Sequence, residues 1–409
     1  MALTLVLMNQ YIPSYLFQDR FLFFHPTNIA DARTVLRTVA DTALAVIGVV
    51  FSITLVPLTI ASTQYGSIIL RSFLRDRGTQ TVLGAYSATT FYCLFLLLGL
   101  RNATNPIVDL PVSIALYMLV ISLIMLLYFF HHIADSLQAA AIVEQLSKEL
   151  ESIIEKPRRA RGSSILKQSQ DEDTVRRTVK QEGRSVTSTR EGYIRAIDFT
   201  GLMRIATERK LVLYLTRAPG DFVSRGDQLL LAWPNPHDER FETTINRAYY
   251  LGKNRTLFQD PEYGIYLIVI IAVRALSPAI NDPSTPVFCL DRLGSALSML
   301  AEREHEWPFP NTYDEDNQLR LIVDFVTFER LVNMAFNMIR EYGSGSAELL
   351  MKILDTIMMV ANRTKSEDQR QVLLVHARLI DDSRLVLPSE YDKQRVHTRF
   401  DEVVSALEH

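Results

Sequence analysis

Three long apolar stretches dominate the first third of the chain. Ala43 to Ser62, Val82 to Leu100 and Leu110 to Phe130 each run for about twenty residues without a charged side chain. Roughly twenty apolar residues cross a bilayer as a helix, because the hydrocarbon core offers the backbone no other hydrogen-bond partners. Three such runs close together predict an integral membrane protein, with spans over about 43–62, 82–100 and 110–130. Beyond Phe130 the pattern changes. Ile133, Leu137, Ala140, Val143, Leu146 and Leu150 keep a helical period with polar residues between them. That period predicts a stalk helix over 132–155, continuous with the third span.

Residues 1–40 read as an apolar N-terminal stub followed by an aromatic-rich interfacial segment. Residues 156–190 carry ten Lys and Arg against four Asp and Glu with almost no apolar period, the pattern of a basic flexible linker. From Glu191 the signal becomes strand-like. GYIRAID and KLVLYLTR alternate, TGLMRIATER reads as a short helix, and PGDFVSRGDQLL has the Gly-Asp turns of a hairpin. These stretches form a small β-containing module over 191–238. Helical periods then recur at about 240–252, 262–276, 284–304, 317–341, 346–361 and 366–380, giving a helical domain over 239–409. The expected fold class is a mainly α-helical integral membrane protein, with three full transmembrane helices and an α+β domain outside the bilayer.

Charge adds an orientation. The formal net charge of the 409 residues is −3, so no global field points to nucleic acid. Arg71, Arg75 and Arg77 lie in one inter-span loop, and most remaining Lys and Arg follow Phe130. The positive-inside rule therefore places that loop and the C-terminal part of this multi-pass protein in the cytoplasm. The two cysteines, Cys93 and Cys289, supply neither a disulfide framework nor a zinc spacing.

Candidate chemistry is sparse. Gly48, Ser52, Thr59, Thr63 and Gly66 form a small and polar stripe along the first span, with Pro57 in its middle. Such a stripe serves close helix packing or lines a pathway. His131 and Asp135 share a helix face and could supply two metal ligands, which is too few for a site. Asp260-Pro261 and Asp282-Pro283 both have the form of a helix start, with Asp as the cap and Pro at the first position. Around the second, Arg274, Asn281, Asp282 and Ser284 gather polar groups at a corner suited to an anion. No nucleophile, phosphate-loop or zinc-protease motif occurs, so no catalytic residue is assigned. The PGDFVSRGDQLL turn has the look of a biotinyl or lipoyl carrier hairpin, but no lysine follows it, so no cofactor is expected.

Several stretches carry a family resemblance: GVVFSITLVPLTIASTQYGSIILRSFLRDRGTQTVLG, YFFHHIADSLQ, EGYIRAID, PGDFVSRGDQL, GKNRTLFQDPEYGI and RALSPAINDPSTPVFCLDRL. In this order the chain resembles the bacterial predicted membrane proteins called domain of unknown function 2254. The resemblance covers about residues 30–380. It implies an inner-membrane location and a bacterial source, and brings no activity, substrate or cofactor. Members usually show four spans. Three spans and an eight-residue stub suggest that a first helix begins upstream of this start.

The function expected on these grounds is a homo-oligomeric channel- or transporter-like protein whose cytoplasmic domain regulates or gates the membrane part. The alternative is a membrane-anchored sensor or scaffold that binds a ligand or partner through that domain. Expected partners are the lipid bilayer, further copies of the chain, and an ion, small molecule or protein, but not nucleic acid.

Overall fold

A computed structural model describes residues 29–65, 77–100, 109–136, 139–155, 169–236, 240–302, 312–314, 316, 318–323 and 326–408. The chain divides into two compact units, Met1–Ala141 and Ile142–His409.

The first unit contains α1 (Ile29–Tyr65), α2 (Arg77–Gly99) and α3 (Asp109–Ser136). All three are long and apolar enough to span a membrane, over Ile29–Leu55, Gly78–Gly99 and Leu110–His131. Helix α1 begins twelve residues before position 41, so residues 29–40 are not the interfacial segment expected of them. The reason is periodic: Ala32, Leu36, Val39, Ala40 and Ala43 recur at helical spacing and are buried. The first four of them pack with Cys93, Leu96, Val112 and Ala115 of the other two helices. Their polar neighbours are exposed or capping. The Arg33 guanidinium donates to the Leu100 carbonyl at 2.6 Å, meeting a C-terminal carbonyl of α2. The outer faces carry exposed Leu44, Phe51, Phe91, Leu98, Leu123 and Leu127, as expected of helices whose solvent is lipid. Polar contacts between the second and third helices are Thr89 Oγ1 to Ser122 Oγ at 3.2 Å and the Tyr92 hydroxyl to the Pro111 carbonyl at 3.2 Å.

The second unit interleaves strands and helices. A five-stranded sheet has the order β1-β5-β3-β8-β7, from Arg184–Thr187, Gln228–Trp233, Val212–Leu215, Leu319–Val323 and Thr312–Tyr313. Its pairings are antiparallel except β3 with β8, where Leu213 lies opposite Leu321. A three-stranded antiparallel sheet has the order β4-β2-β6, from Phe222–Val223, Gly192–Ile197 and Tyr249–Gly252. Two short helices, α6 (Phe199–Glu208) and α7 (Arg240–Ala248), complete this half. Leu202, Leu213, Leu230, Phe241, Ile245 and Tyr249 belong to one buried core that draws on both sheets and both helices.

Three expectations are corrected here. The basic linker of 156–190 is ordered over its second half, as α5 (Ser169–Glu182) and β1. Val175 and Val179 are the apolar contacts of that helix among the described residues, in a cluster with Val212 and Ile322; so thin an apolar stripe is hidden by surrounding charge. The β-module and the helical domain are not consecutive, because β6 replaces the end of the helix expected over 240–252 and β8 opens the one expected over 317–341. Short apolar runs such as LRLIV fit a buried strand and a helix equally well by periodicity. Finally, the expected stalk is not free-standing. Its residues 137–138 lie outside the described residues, and from Val143 onward α4 (Ala139–Glu155) is a packed element of the second unit. There Gly264 leaves room for Leu150, whose Cδ1 would be 3.0 Å from a Cβ at that position.

The helical half comprises α8 (Pro261–Ala275), α9 (Ser284–Ala301), α10 (Phe328–Gly343), α11 (Ala347–Ala361), α12 (Glu367–Ser383) and α13 (Glu390–Glu408). Helix α8 is buried on nearly all sides. Its start carries buried charge. Asp260, 1% exposed, accepts from Arg255 Nε at 2.8 Å, Arg255 Nη2 at 2.9 Å and the Tyr263 amide at 3.0 Å. Within the first turn, buried Glu262 accepts from Arg330 of α10 at 2.9 Å. Burial raises the pKa of both carboxyls, and the facing guanidinium opposes the rise in each. Replacing Asp260 by Ala leaves a partly buried guanidinium unpaired and a helix uncapped. It is expected to cost about 3 kcal/mol or more, measured as a lower urea midpoint for the purified full chain.

Candidate functional site

The RALSPAINDPSTP corner joins α8 to α9. Helix α8 ends at Ala275, and the Ile280 and Asn281 amides both donate to the Ser277 carbonyl, at 3.0 and 2.9 Å. Asn281 adopts φ +47°, a left-handed conformation that asparagine tolerates better than most residues. Pro283 is already helical, with φ −74° and ψ −17°, which makes Asp282 the physical cap. Its Oδ1 accepts from the Ser284 amide at 2.9 Å and the Thr285 amide at 3.4 Å, and its Oδ2 from the Thr285 hydroxyl at 2.6 Å. The donors that could bind an anion at this helix start are thus taken by Asp282. Asn281 and Ser284 are exposed, and no bond joins either to Arg274 among the described residues. Arg274 keeps a buried Nη1 without a hydrogen-bond partner among those residues. The Thr285 hydroxyl and the two amides hold the Asp282 carboxyl below its ordinary value of 3.8.

A depressed folded pKa fixes the sign of the pH effect: the stability that Asp282 adds is present above its unfolded pKa and is lost as pH falls through the folded one. Asp282→Ala is expected to destabilise the second unit by about 1 kcal/mol at neutral pH. In thermal melts the difference from the parent should shrink below about pH 4.

In the membrane unit, Gly48 and Ser52 are exposed. The Ser52 hydroxyl donates back to the Gly48 carbonyl at 3.0 Å, and a Cβ at Gly48 would meet nothing within 4 Å. The side chains of Pro57, Thr59 and Thr63, and Gly66 as a whole, lie outside the described residues. His131 is exposed, and the Asp135 side chain is likewise undescribed. No group of three or more potential metal ligands occurs among the described residues. Cys289 is buried, and burial pushes its thiol pKa up to about 12.

The feature that the sequence reading missed is a groove of about 600 Å³ in the second unit. It lies where β2, β6, α7 and the 254–258 segment meet. Three of its lining residues are Arg190, Arg195 and Arg247, and none is a carboxylate. Each arginine is placed differently. Arg190 donates through Nη2 to the carbonyls of Tyr249 at 2.9 Å and Asn246 at 3.3 Å, at the end of α7. Arg195 sits where the pairing of β2 with β6 slips between Ile194 and Ala196. Such a bulge re-aims a side chain. Its stem then crosses β6 over Gly252, where an added Cβ would come within 2.3 Å of Arg195 Cδ. Arg247 is exposed on the last turn of α7. No acidic side chain pairs with Arg195 or Arg247 among the described residues.

Buried Asn246 braces this wall. Its Oδ1 accepts from the Thr189 amide and hydroxyl, and its Nδ2 donates to the Thr187 and Glu242 carbonyls. Opposite, the Gln259 amide pairs with both backbone groups of Ile197, at 2.9 and 3.2 Å, which fixes the 254–258 segment beside β2. Thr256 Oγ1 is buried at the groove without a partner among the described residues. The arginines lie in EGYIRAID or near it, and in INRAYYLGKNR. Their spacing in sequence carries no site pattern; only the β2–β6 pairing assembles them.

With this geometry in hand, the comparisons locate the chain among known proteins. The family model for predicted membrane proteins of domain of unknown function 2254 matches residues 1–359. The chain belongs to that family. An uncharacterized protein of Mycobacterium tuberculosis and another of Mycobacterium bovis are each 29% identical to it over 365 residues, covering 86% of this chain and 67% of theirs. No solved structure is similar to it. Membership in DUF2254 establishes a predicted membrane protein, in keeping with the three spans, and leaves the chemistry to the groove.

Proposed function

We infer that this DUF2254 protein is a membrane-anchored receptor whose second unit binds a small anionic molecule. One observation carries the reading: three arginines and no carboxylate line a groove large enough for such a ligand. Guanidinium groups suit planar, bidentate recognition of phosphate and carboxylate oxygens. Arg195 and Arg247 have no acidic partner to displace among the described residues, and Arg190 is bonded there to backbone carbonyls. The Lys and Arg distribution supports placing this unit in the cytoplasm.

The test is calorimetric titration of inorganic pyrophosphate into the detergent-purified full chain. Binding should weaken as salt rises, and Arg195→Ala or Arg247→Ala should each weaken it by about tenfold. Absence of binding at low salt by pyrophosphate and by every other phosphorylated probe, or equal affinity in the double variant, sinks the receptor reading.

A second reading, the homo-oligomeric pathway gated by the second unit, draws on Gly48 and Ser52. Both face outward from the three-helix unit, so their small surfaces are available to another copy. Reconstituted protein should then pass small ions, and Gly48→Leu should abolish the flux. Liposomes that stay tight with an oligomer present would rule the pathway out.

A further inference from the structure

The groove holds more than charge. Tyr250 and Phe258 line it with rings that are 57% and 63% exposed, and their positions are set by the backbone. Tyr250 stands opposite Ala196 in the β2–β6 ladder, beside the bulge that carries Arg195. Phe258 is directly followed by Gln259, which is bonded to Ile197. Two held aromatic rings next to three guanidinium groups suit a ligand with a planar π-face at one end and anionic oxygens at the other. The hydroxyl of Thr256, buried and unpartnered among the described residues, adds a neutral donor or acceptor to the lining.

We propose that the groove is a nucleotide site, in which Arg195 and Arg247 hold phosphoryl oxygens while Tyr250 and Phe258 stack on the base. The proposal rests on the receptor reading and names its ligand class. Arg190, already bonded to two backbone carbonyls, supplies fixed positive charge, whereas Arg195 and Arg247 have donors to give. Stacking is tolerant of base identity because every base has a π-face. The two rings therefore define a nucleotide without selecting one.

The experiment uses the full chain in detergent with four probes: inorganic pyrophosphate, adenosine 5′-diphosphate, guanosine 5′-diphosphate and adenosine. At least one diphosphate nucleotide is expected to bind tenfold or more tighter than pyrophosphate, and adenosine far more weakly than either nucleotide. Tyr250→Ala and Phe258→Ala should each weaken nucleotide binding by about tenfold and leave pyrophosphate binding unchanged. The Tyr250 side chain is mostly exposed, so the melting temperature of Tyr250→Ala should match the parent. If neither nucleotide binds tighter than pyrophosphate, or if the aromatic variants weaken both equally, the nucleotide assignment is wrong while the receptor reading stands. If none of the charged probes binds, both are overturned.

Discussion

A buried carboxylate, Asp260, organises the second unit. Burying a charge is unfavourable unless it is paired and hydrogen-bonded, and here the pairing recruits three parts of the chain. Arg255 supplies two donors and Tyr263 the first turn of α8. The third part is a turn that must have no side chain. At Gly220, with φ +98°, a Cβ would lie 2.1 Å from Asp260 Oδ2. The β3–β4 turn, the start of the central helix and the segment bearing Thr256 and Phe258 are therefore tied to one point. Glu262 and Arg330 extend the tie to α10. The groove is tied to this junction, since its lining residues Thr256 and Phe258 lie between Arg255 and Gln259, both of which are hydrogen-bonded.

What was legible in the sequence follows from how each signal is carried. The three spans announce themselves by length and absence of charge, and the two Asp-Pro helix starts by local chemistry alone. Asp260 and Asp282 do cap α8 and α9. The stretches that misled depend on partners far away. Leu319–Val323 becomes a strand because β3 lies beside it, and Ser169–Glu182 becomes a packed helix because two valines find Val212 and Ile322. The groove was illegible for the same reason. Arg195 and Arg247 lie on different elements, and only the slip between Ile194 and Ala196 turns the first toward the second's side of the sheet.

The two Asp-Pro starts also show why a motif read alone misjudges importance. They share a local chemistry and differ in surroundings. Asp282 sits on an exposed corner with neutral partners, whereas Asp260 is enclosed with a guanidinium on its open side. The sequence drew attention to the exposed corner because its polar groups crowd together. The enclosed one has more of the fold hanging from it, and the reason lies in burial, which no local spelling records.

The parallel pairing of β3 with β8 sets an order of events during synthesis. Leu213 and Leu321 are more than a hundred residues apart in sequence yet adjacent in the sheet. Until the later strand emerges from the ribosome, β3 presents an open edge able to template unwanted strand pairing. The apolar spans precede both strands, so they emerge first, while this edge is still bare. A chain cut short before β8 would therefore join the three spans to an incomplete sheet, a product prone to aggregate at the membrane.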